Sequence, residues 1–164
     1  MSRRWFLLAT LALSACGFQL RGTHPLPFDT LYVALPESNE LRAIIKRNVE
    51  ASSQTRVITE AKDAQATLTI LGDTQTKNIL SLNSAGRVRE FQLVRLFVFR
   101  VQDAKGQEFL PVSSIRITRE ITFNDATVLA KDAEEALLWR DIQNDLVQQL
   151  LRRLGAAKLK TAES

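Results

Sequence analysis

A long stretch of alternating apolar and polar residues, from Ala66 to Asn124, is the feature that most constrains the fold of this chain. It is broken twice, at 83–86 and 103–106, by the segments Asn-Ser-Ala-Gly and Asp-Ala-Lys-Gly. Both segments are typical of hairpin turns, because asparagine or aspartate caps such turns and glycine adopts positive φ without strain. The stretch therefore predicts a meander of three antiparallel strands.

Each strand of this meander has a predictable environment. The apolar residues of the last strand lie on one face and polar residues lie on the other, which indicates one covered and one solvated face. The middle strand carries apolar residues on both sides, so we expect it to be central. The apolar positions of the last strand are Ile115, Ile117, Ile121 and Phe123.

The first hairpin is unusually long. A strand from Ala66 to Leu82 extends roughly 50 Å at about 3.3 Å per residue, whereas a chain of this size has a radius of gyration of about 15 Å. We therefore expect the hairpin to extend beyond its helices. Its tip, residues 79–89, combines apolar side chains with Arg87 and Arg89. The tip either curls and packs on itself or forms a contact surface for a partner or an amphiphile.

Two helices and a further strand flank the meander. Thr30–Leu35 is a short apolar run that predicts a buried strand, and Ser38 or Asn39 can cap the helix that follows it. A second helix is predicted from about Lys131 to Leu154, with Gly155 after its end. The apolar stripes of the two helices are Leu41, Ile44, Ile45 and Val49, and Leu138, Ile142, Leu146, Val147, Leu150 and Leu154.

The order β-α-β-β-β-α predicts an α+β fold. Each helical stripe needs a surface to cover, so we expect a four-stranded mixed sheet, mostly antiparallel, with both helices packed on one face. The chain is long enough for one core. We expect a single domain at 30–155 and a frayed tail at 156–164.

The amino terminus has the pattern of a secretion signal. Arg3 and Arg4 precede an apolar segment that is too short to span a bilayer, which predicts a signal peptide at 1–15. The sequence Leu-Ser-Ala-Cys at 13–16 resembles the bacterial lipobox, whose cysteine is lipidated and becomes the mature amino terminus. The alternative is that Cys16, the only cysteine, is a buried or incidental thiol.

Lipidation of Cys16 would place the domain beside a membrane. Several acyl chains anchor a protein stably, whereas one chain binds only reversibly. Residues 16–29 would then be the lipidated amino terminus and a short tether, with the domain facing the periplasm. Gly17 stands where lipoproteins retained in the inner membrane commonly have aspartate, so by analogy the outer membrane is expected.

Composition and motifs argue against several functions. Removal of the signal leaves 22 − 2 = 20 basic residues against 18 acidic ones, a formal net charge of +2. This net positive charge is too small to indicate nucleic-acid binding. Motifs of hydrolases, nucleotide-binding proteins and zinc enzymes are absent. The single histidine, His24, lies in a proline-flanked loop, and Glu134 and Glu135 point about 100° apart on a helix. We therefore expect no catalytic residues, metal or cofactor other than the covalent lipid.

Five segments in order resemble the LptE family, the lipopolysaccharide-assembly lipoproteins of Gram-negative outer membranes. They are CGFQLRG at 16–22, REFQL at 89–93, PVS at 111–113, LAKDAE at 129–134 and QLLRRL at 149–154. The resemblance runs from the signal to the end of the last helix. The acidic or Ser/Thr-rich carboxy-terminal extension of some members is missing.

The resemblance implies a function without catalysis. Members of the family sit as a plug inside the LptD β-barrel, help it assemble and bind lipopolysaccharide on its way to the outer leaflet. Lys131 matches the lysine of the family's L-A-K-D stretch, and Arg87 and Arg89 flank the hairpin tip, so these three are our candidates for phosphate contact. Each could equally be an ordinary solvated charge.

Two other functions remain open. One is a periplasmic regulatory lipoprotein that activates a cell-wall synthase, although such a reach normally needs a longer tether than the dozen or so residues between Cys16 and the first strand. The other is a hydrolase, for which no nucleophile is apparent.

Overall fold

The computed structural model describes residues 25–123 and 128–158, and the side chains of these residues apart from 128–130. The signal peptide, Cys16 and His24 lie outside the described residues. The strands are β1 (Thr30–Val33), β2 (Arg56–Ile58), β3 (Ala66–Leu82), β4 (Val88–Gln102) and β5 (Glu108–Thr122). The helices are α1 (Glu40–Ser52) and α2 (Val128–Gly155), and Ala61–Asp63 forms a single 3-10 turn.

The strands form one mixed sheet in the order β2-β1-β3-β4-β5. β1 runs parallel to β2 and to the beginning of β3, while β3, β4 and β5 are the antiparallel meander that the alternating sequence predicts. The central position of β4 is confirmed, as is the predicted α+β class. Both meander turns have their glycine at positive φ, 75° for Gly86 and 81° for Gly106.

Both helices contribute to one core on the same side of the sheet. Asn39 caps α1 by accepting hydrogen bonds from the backbone N–H groups of Leu41 and Arg42. The Nε2 group of Gln148 on α2 donates to Oδ1 of Asn48 on α1 at 3.5 Å, so the helices are neighbours. The helical residues of the core are Leu41, Ile45, Val49, Ile142, Leu146, Val147, Leu150, Leu151 and Leu154.

The apolar core does not extend along the whole sheet. Among the described side chains of α2, residues 131–155, every buried apolar one lies at or after Ile142, and before it only Leu138 and Trp139 pack against the core in part. On β3 the buried positions end at Leu68, and residues 73–80 are all exposed. β3 therefore continues past the region that apolar side chains hold together, whereas on β4 and β5 the core reaches Leu93 and Ile121.

The predicted count of four strands is wrong, because the described part of the chain forms a sheet of five. The missed strand, β2, has three residues, of which only Val57 is buried. It is fixed by distant contacts: the backbone N–H of Arg56 donates to the carbonyl of Asp29 at 2.9 Å, and the hydroxyl of Thr55 donates to the carbonyl of Phe28 at 2.7 Å. So short a strand has no measurable periodicity.

Three predicted boundaries also differ. β1 ends at Val33 rather than Leu35, because the backbone N–H of Leu35 turns back to the carbonyl of Val33. α2 begins at Val128, before the predicted Lys131. Gly155 belongs to α2 and does not adopt positive φ, so it is not the residue after the helix. The next residue instead extends the helical bonding, since the N–H of Ala156 donates to the carbonyl of Arg152.

Candidate functional site

The turn between β3 and β4 is held by its own hydrogen bonds. Oδ1 of Asn83 accepts from the backbone N–H groups of Ala85 and Arg87, each at 3.0 Å. The backbone N–H of Asn83 donates to the carbonyl of Arg87 at 2.8 Å, and that of Gly86 donates to the carbonyl of Asn83 at 2.9 Å. Although it lies at the end of a long hairpin, this turn thus presents Arg87 in a defined position.

Apolar side chains surround this turn without being covered. Ile79 is 59% exposed, Leu80 is 43% exposed and Leu82 is 55% exposed. Arg87 and Arg89 are exposed as well. Self-packing of the tip, one of the two interpretations of the sequence, would have buried these residues. We call residues 79–89 the distal tip, and the structure favours its interpretation as a contact surface.

Lys131 lies near the start of α2 and contacts the end of β5. Its ammonium group donates to Oγ1 of Thr122 at 3.1 Å and to Oε2 of Glu134 at 2.7 Å. Thr122 lies opposite Glu90 on β4, and the backbone N–H of Phe123 donates to the carbonyl of Arg89 at 2.8 Å. Lys131 and Arg89 therefore lie at the same end of the sheet, with Arg87 two residues closer to the turn.

The side chains of Glu134 and Glu135 have different partners. Glu134 binds Lys131, whereas Glu135 accepts from Nζ of Lys77 at 2.6 Å and from Nε1 of Trp139 at 3.3 Å. They do not form a carboxylate pair of the kind that catalyses acid–base reactions. Within residues 25–123 and 128–158, no group of three His, Cys, Asp or Glu side chains could hold a metal ion.

A layer of charged residues that sequence reasoning missed connects α2 to the distal half of the sheet. Arg95, whose side chain is 4% exposed, donates from Nε and Nη2 to the two carboxylate oxygens of Asp73 on β3 at 2.9 and 2.8 Å. Its Nη1 group donates to Oε1 of Gln143 on α2 at 3.4 Å. A bidentate pair of this kind fixes geometry as well as charge.

Two more contacts of this layer involve the strands on either side of β4, β3 and β5. Lys77 on β3 binds Glu135 and also lies 4.3 Å from the centre of the Phe91 ring, a cation–π distance. Arg119 on β5 donates to Oδ2 of Asp145 on α2 at 3.1 Å. We call these contacts, together with the Arg95 network, the charged layer. It determines how α2 lies over the strands that lead to the distal tip.

A signal for this layer is present in the sequence. Arg95 lies between Leu93 and Phe97 on the helix-facing side of β4, and Arg119 lies between Ile117 and Ile121 on β5. A charged residue inside an apolar row indicates a buried partner, since an unpaired buried charge is very costly. The periodicity alone could not identify Asp73 as that partner.

Replacing Asp73 tests how much this layer contributes. We expect Asp73→Asn to lower the free energy of unfolding by about 2 kcal/mol or more, because it leaves the buried Arg95 without its counter-charge. Urea unfolding followed by circular dichroism measures this loss. Asp145→Asn is the matched control, since the Arg119 and Asp145 side chains are 38% and 33% exposed and such a pair contributes at most about 1 kcal/mol. Equal losses for the two variants would contradict the importance of the buried pair.

Solved structures of other proteins have the same fold. A lipoprotein of Nitrosomonas europaea, solved by NMR as uncharacterized lipoprotein B, superposes with a TM-score of 0.75 at 38% sequence identity, covering 85% of this chain and 91% of that one. A minor lipoprotein of Acinetobacter baumannii superposes with a TM-score of 0.67 at 25% identity, covering 85% of this chain and all of that one (100%).

Sequence comparison gives the family. The LPS-assembly lipoprotein LptE of Yersinia enterocolitica is 31% identical over 162 residues, which are 95% of this chain and 77% of that protein. The sequence profile described as "LptE: Lipopolysaccharide-assembly" matches residues 28–154, from the buried Phe28 before β1 to the last buried leucine of α2. On this match, and on the shared fold, the chain belongs to the LptE family.

Proposed function

We propose that this chain is an outer-membrane lipoprotein that plugs an LptD-type β-barrel, helps the barrel assemble, and binds lipopolysaccharide during transport to the outer leaflet. The observation that carries the proposal is the distal tip, where exposed apolar residues and cations share one well-ordered turn. The name of the Yersinia relative, LPS-assembly lipoprotein, supports the same role.

The chemistry of the tip suits an amphiphile with phosphate groups. Arginine donates to phosphate oxygens in a bidentate manner, and lysine contributes a point charge. Arg87 and Arg89 would contact phosphates, while Ile79 and Leu82 would contact the acyl chains nearby. Lys131 would join them by giving up part of its contact with Glu134.

The helix-free face of the sheet suits a polar environment. Residues directly opposite each other on neighbouring strands share a face, so Thr74, Thr76, Arg116 and Thr118 lie on this side with Leu96. Leu96 is 37% exposed and Val94 between the threonines is buried. The lumen of a transmembrane barrel is polar. The threonine and arginine side chains of this face could form hydrogen bonds with such a lumen.

We also propose that Cys16 carries the membrane anchor. The lipobox-like sequence at 13–16 would be cleaved after residue 15, and acyl chains on Cys16 would hold the domain at the periplasmic side of the outer membrane. Residues 16–29 would be too short a tether to let the domain leave that surface. Neither described helix is long and apolar enough to cross a membrane.

Charge reversal at the tip tests the lipopolysaccharide site. We expect the double variant Arg87→Asp/Arg89→Asp to weaken lipopolysaccharide binding by roughly tenfold or more, because two charge-assisted contacts become repulsive. Lys131→Asp should weaken lipopolysaccharide binding by less than the double variant, because it reverses one charge instead of two. Binding of purified lipopolysaccharide at several salt concentrations measures the effect, and circular dichroism checks the fold.

Lys105→Asp is the control for these variants. Lys105 is exposed in the turn at 103–106, where Oδ1 of Asp103 accepts from the N–H groups of Lys105 and Gln107 just as Asn83 does at the tip. It changes the net charge by −2, as Lys131→Asp does and half as much as the double variant, in an equivalent turn at the opposite end of β4. If it weakens binding as much as Lys131→Asp, and by half the logarithmic loss of the double variant, net charge rather than the distal tip determines affinity.

The proposed partner is tested by co-purification. A carboxy-terminally tagged full-length chain, isolated from detergent-solubilised outer membranes, should recover a large β-barrel protein in a fixed ratio. Recovery of a peptidoglycan synthase without a barrel would contradict the plug and favour the regulatory lipoprotein. The same sample shows whether the mature chain begins with an acylated Cys16, by mass spectrometry.

A further inference from the structure

The outer edge of β3 is open along most of its length. β1 pairs only with Ala66–Leu68, and no other described strand lies beside β3 from Thr69 to Leu82. The side chains of residues 73–80 are exposed throughout. An open edge presents a row of backbone donors and acceptors to which another strand can bind.

The register identifies which backbone groups are open. The carbonyl of Leu68 points outward, since it accepts from the N–H of Ala34 at 2.9 Å. Residues on one face of a strand direct their N–H and C=O groups to the same edge. Leu68 faces the helices, and after the irregularity at Leu71 the helix-facing residues are Asp73, Gln75 and Lys77, opposite Phe97, Arg95 and Leu93. Their backbone groups therefore point outward and lack partners in the sheet.

The other edge of the sheet is protected in a way that β3 is not. β5 contains Pro111, a register irregularity beside it, and the charged residues Arg116, Arg119 and Glu120. Proline and charge are common devices against edge-to-edge association. Between Gly72 and Ile79, β3 has a regular register, no proline, and only Asp73 and Lys77 as charged residues.

The open segment is complementary to itself. Residues 70–80 read ILGDTQTKNIL, which is nearly symmetric in chemistry about Gln75. If two copies pair antiparallel with Gln75 opposite Gln75, Asp73 of one copy lies opposite Lys77 of the other and Thr74 lies opposite Thr76. Opposite charges and paired threonines are each favourable as cross-strand neighbours.

We infer that this edge binds the same edge of a second copy of the chain, forming a two-fold symmetric dimer with one continuous sheet. A two-fold interface uses the same patch on both subunits, and the near-symmetry about Gln75 provides such a patch. The side chains of Asp73 and Lys77 are 28% and 36% exposed despite their bonds within the charged layer. Both can therefore also contact the second copy.

The rest of the fold leaves room for this pairing. β1 reaches only Leu68, and the regular part of the register uses residues 72–78 of each copy. α2 contacts β4 and β5 and reaches β3 through the Lys77–Glu135 pair, on the face of the sheet rather than at its edge. The dimer would occupy the edge when the chain is not bound to its barrel, so it does not depend on the proposed function.

A proline at the centre of the register tests the dimer. Gln75→Pro removes an outward N–H without removing a bond to β4, and proline is tolerated at sheet edges. It should raise the dimer dissociation constant by roughly tenfold or more, because two intermolecular hydrogen bonds are lost by symmetry. Sedimentation velocity of the purified full-length lipoprotein in detergent, free of other proteins, measures this constant. Gln75→Ala keeps the N–H and should dimerise like the wild-type chain.

Cross-linking keeps the test valid if the proline variant does not fold. Residues that face each other in a hydrogen-bonded antiparallel pair have Cα atoms about 5.5 Å apart, within the range that a disulfide spans. Gln75→Cys should therefore form a covalent dimer on mild oxidation. Lys105→Cys, at the other end of β4, and the wild-type chain with Cys16 should not.

Three results would overturn the dimer. One is a wild-type chain that stays monomeric at about 100 μM, well above the micromolar range of weak specific complexes. Another is the same dissociation constant for Gln75→Pro and Gln75→Ala. The third is a Gln75→Cys chain that cross-links in membranes only to a different protein, which would assign the edge to a strand of that protein.

Discussion

The pairing of Arg95 with Asp73 and Gln143 is the interaction on which the distal half of this fold depends. A guanidinium group in the middle of an apolar face requires a counter-charge and hydrogen-bond acceptors, and it finds them on a neighbouring strand and on the helix above. It lies inside the distal part of the apolar core, between the fully buried Leu93 and Phe97. Beyond it, charged contacts join the partly buried Leu138 and Trp139 in connecting α2 to the sheet.

The two ends of the domain have different roles. The carboxy-terminal half of α2, with α1, the parallel strands and the helix-facing side of β4 and β5, forms an apolar core that stabilises the fold. The amino-terminal half of α2 lies over strands that are exposed on β3 and end in the distal tip. The long hairpin can therefore carry apolar and basic groups beyond the core while its turn stays ordered through the bonds of Asn83. This arrangement suits a protein that contacts a large partner and an amphiphilic ligand.

The parts of the fold that local chemistry determines could be predicted from the sequence. The turns at 83–86 and 103–106, the Asn39 cap and the central position of β4 follow from turn residues, capping and alternation, each of which acts over a few residues. β2 could not be predicted, since three residues with one buried valine form a strand only because β1 lies beside them. Lys131 and Arg89 are far apart in the sequence, and only the packing of α2 places them at one end of the sheet. The Arg95 partner and the open edge of β3 likewise depend on register, which periodicity does not give.

Hydrogen exchange at two salt concentrations tests most directly whether charged contacts hold the distal half of α2. The Debye length falls from roughly 10 Å at 0.1 M salt to about 3 Å at 1 M, so exposed ion pairs such as Lys77–Glu135 weaken while apolar contacts do not. We expect amides of residues 132–141 to exchange faster at 1 M NaCl and those of residues 146–154 to be unchanged. An equal change along the whole helix, or no change in its first half, would contradict a role for charged contacts there.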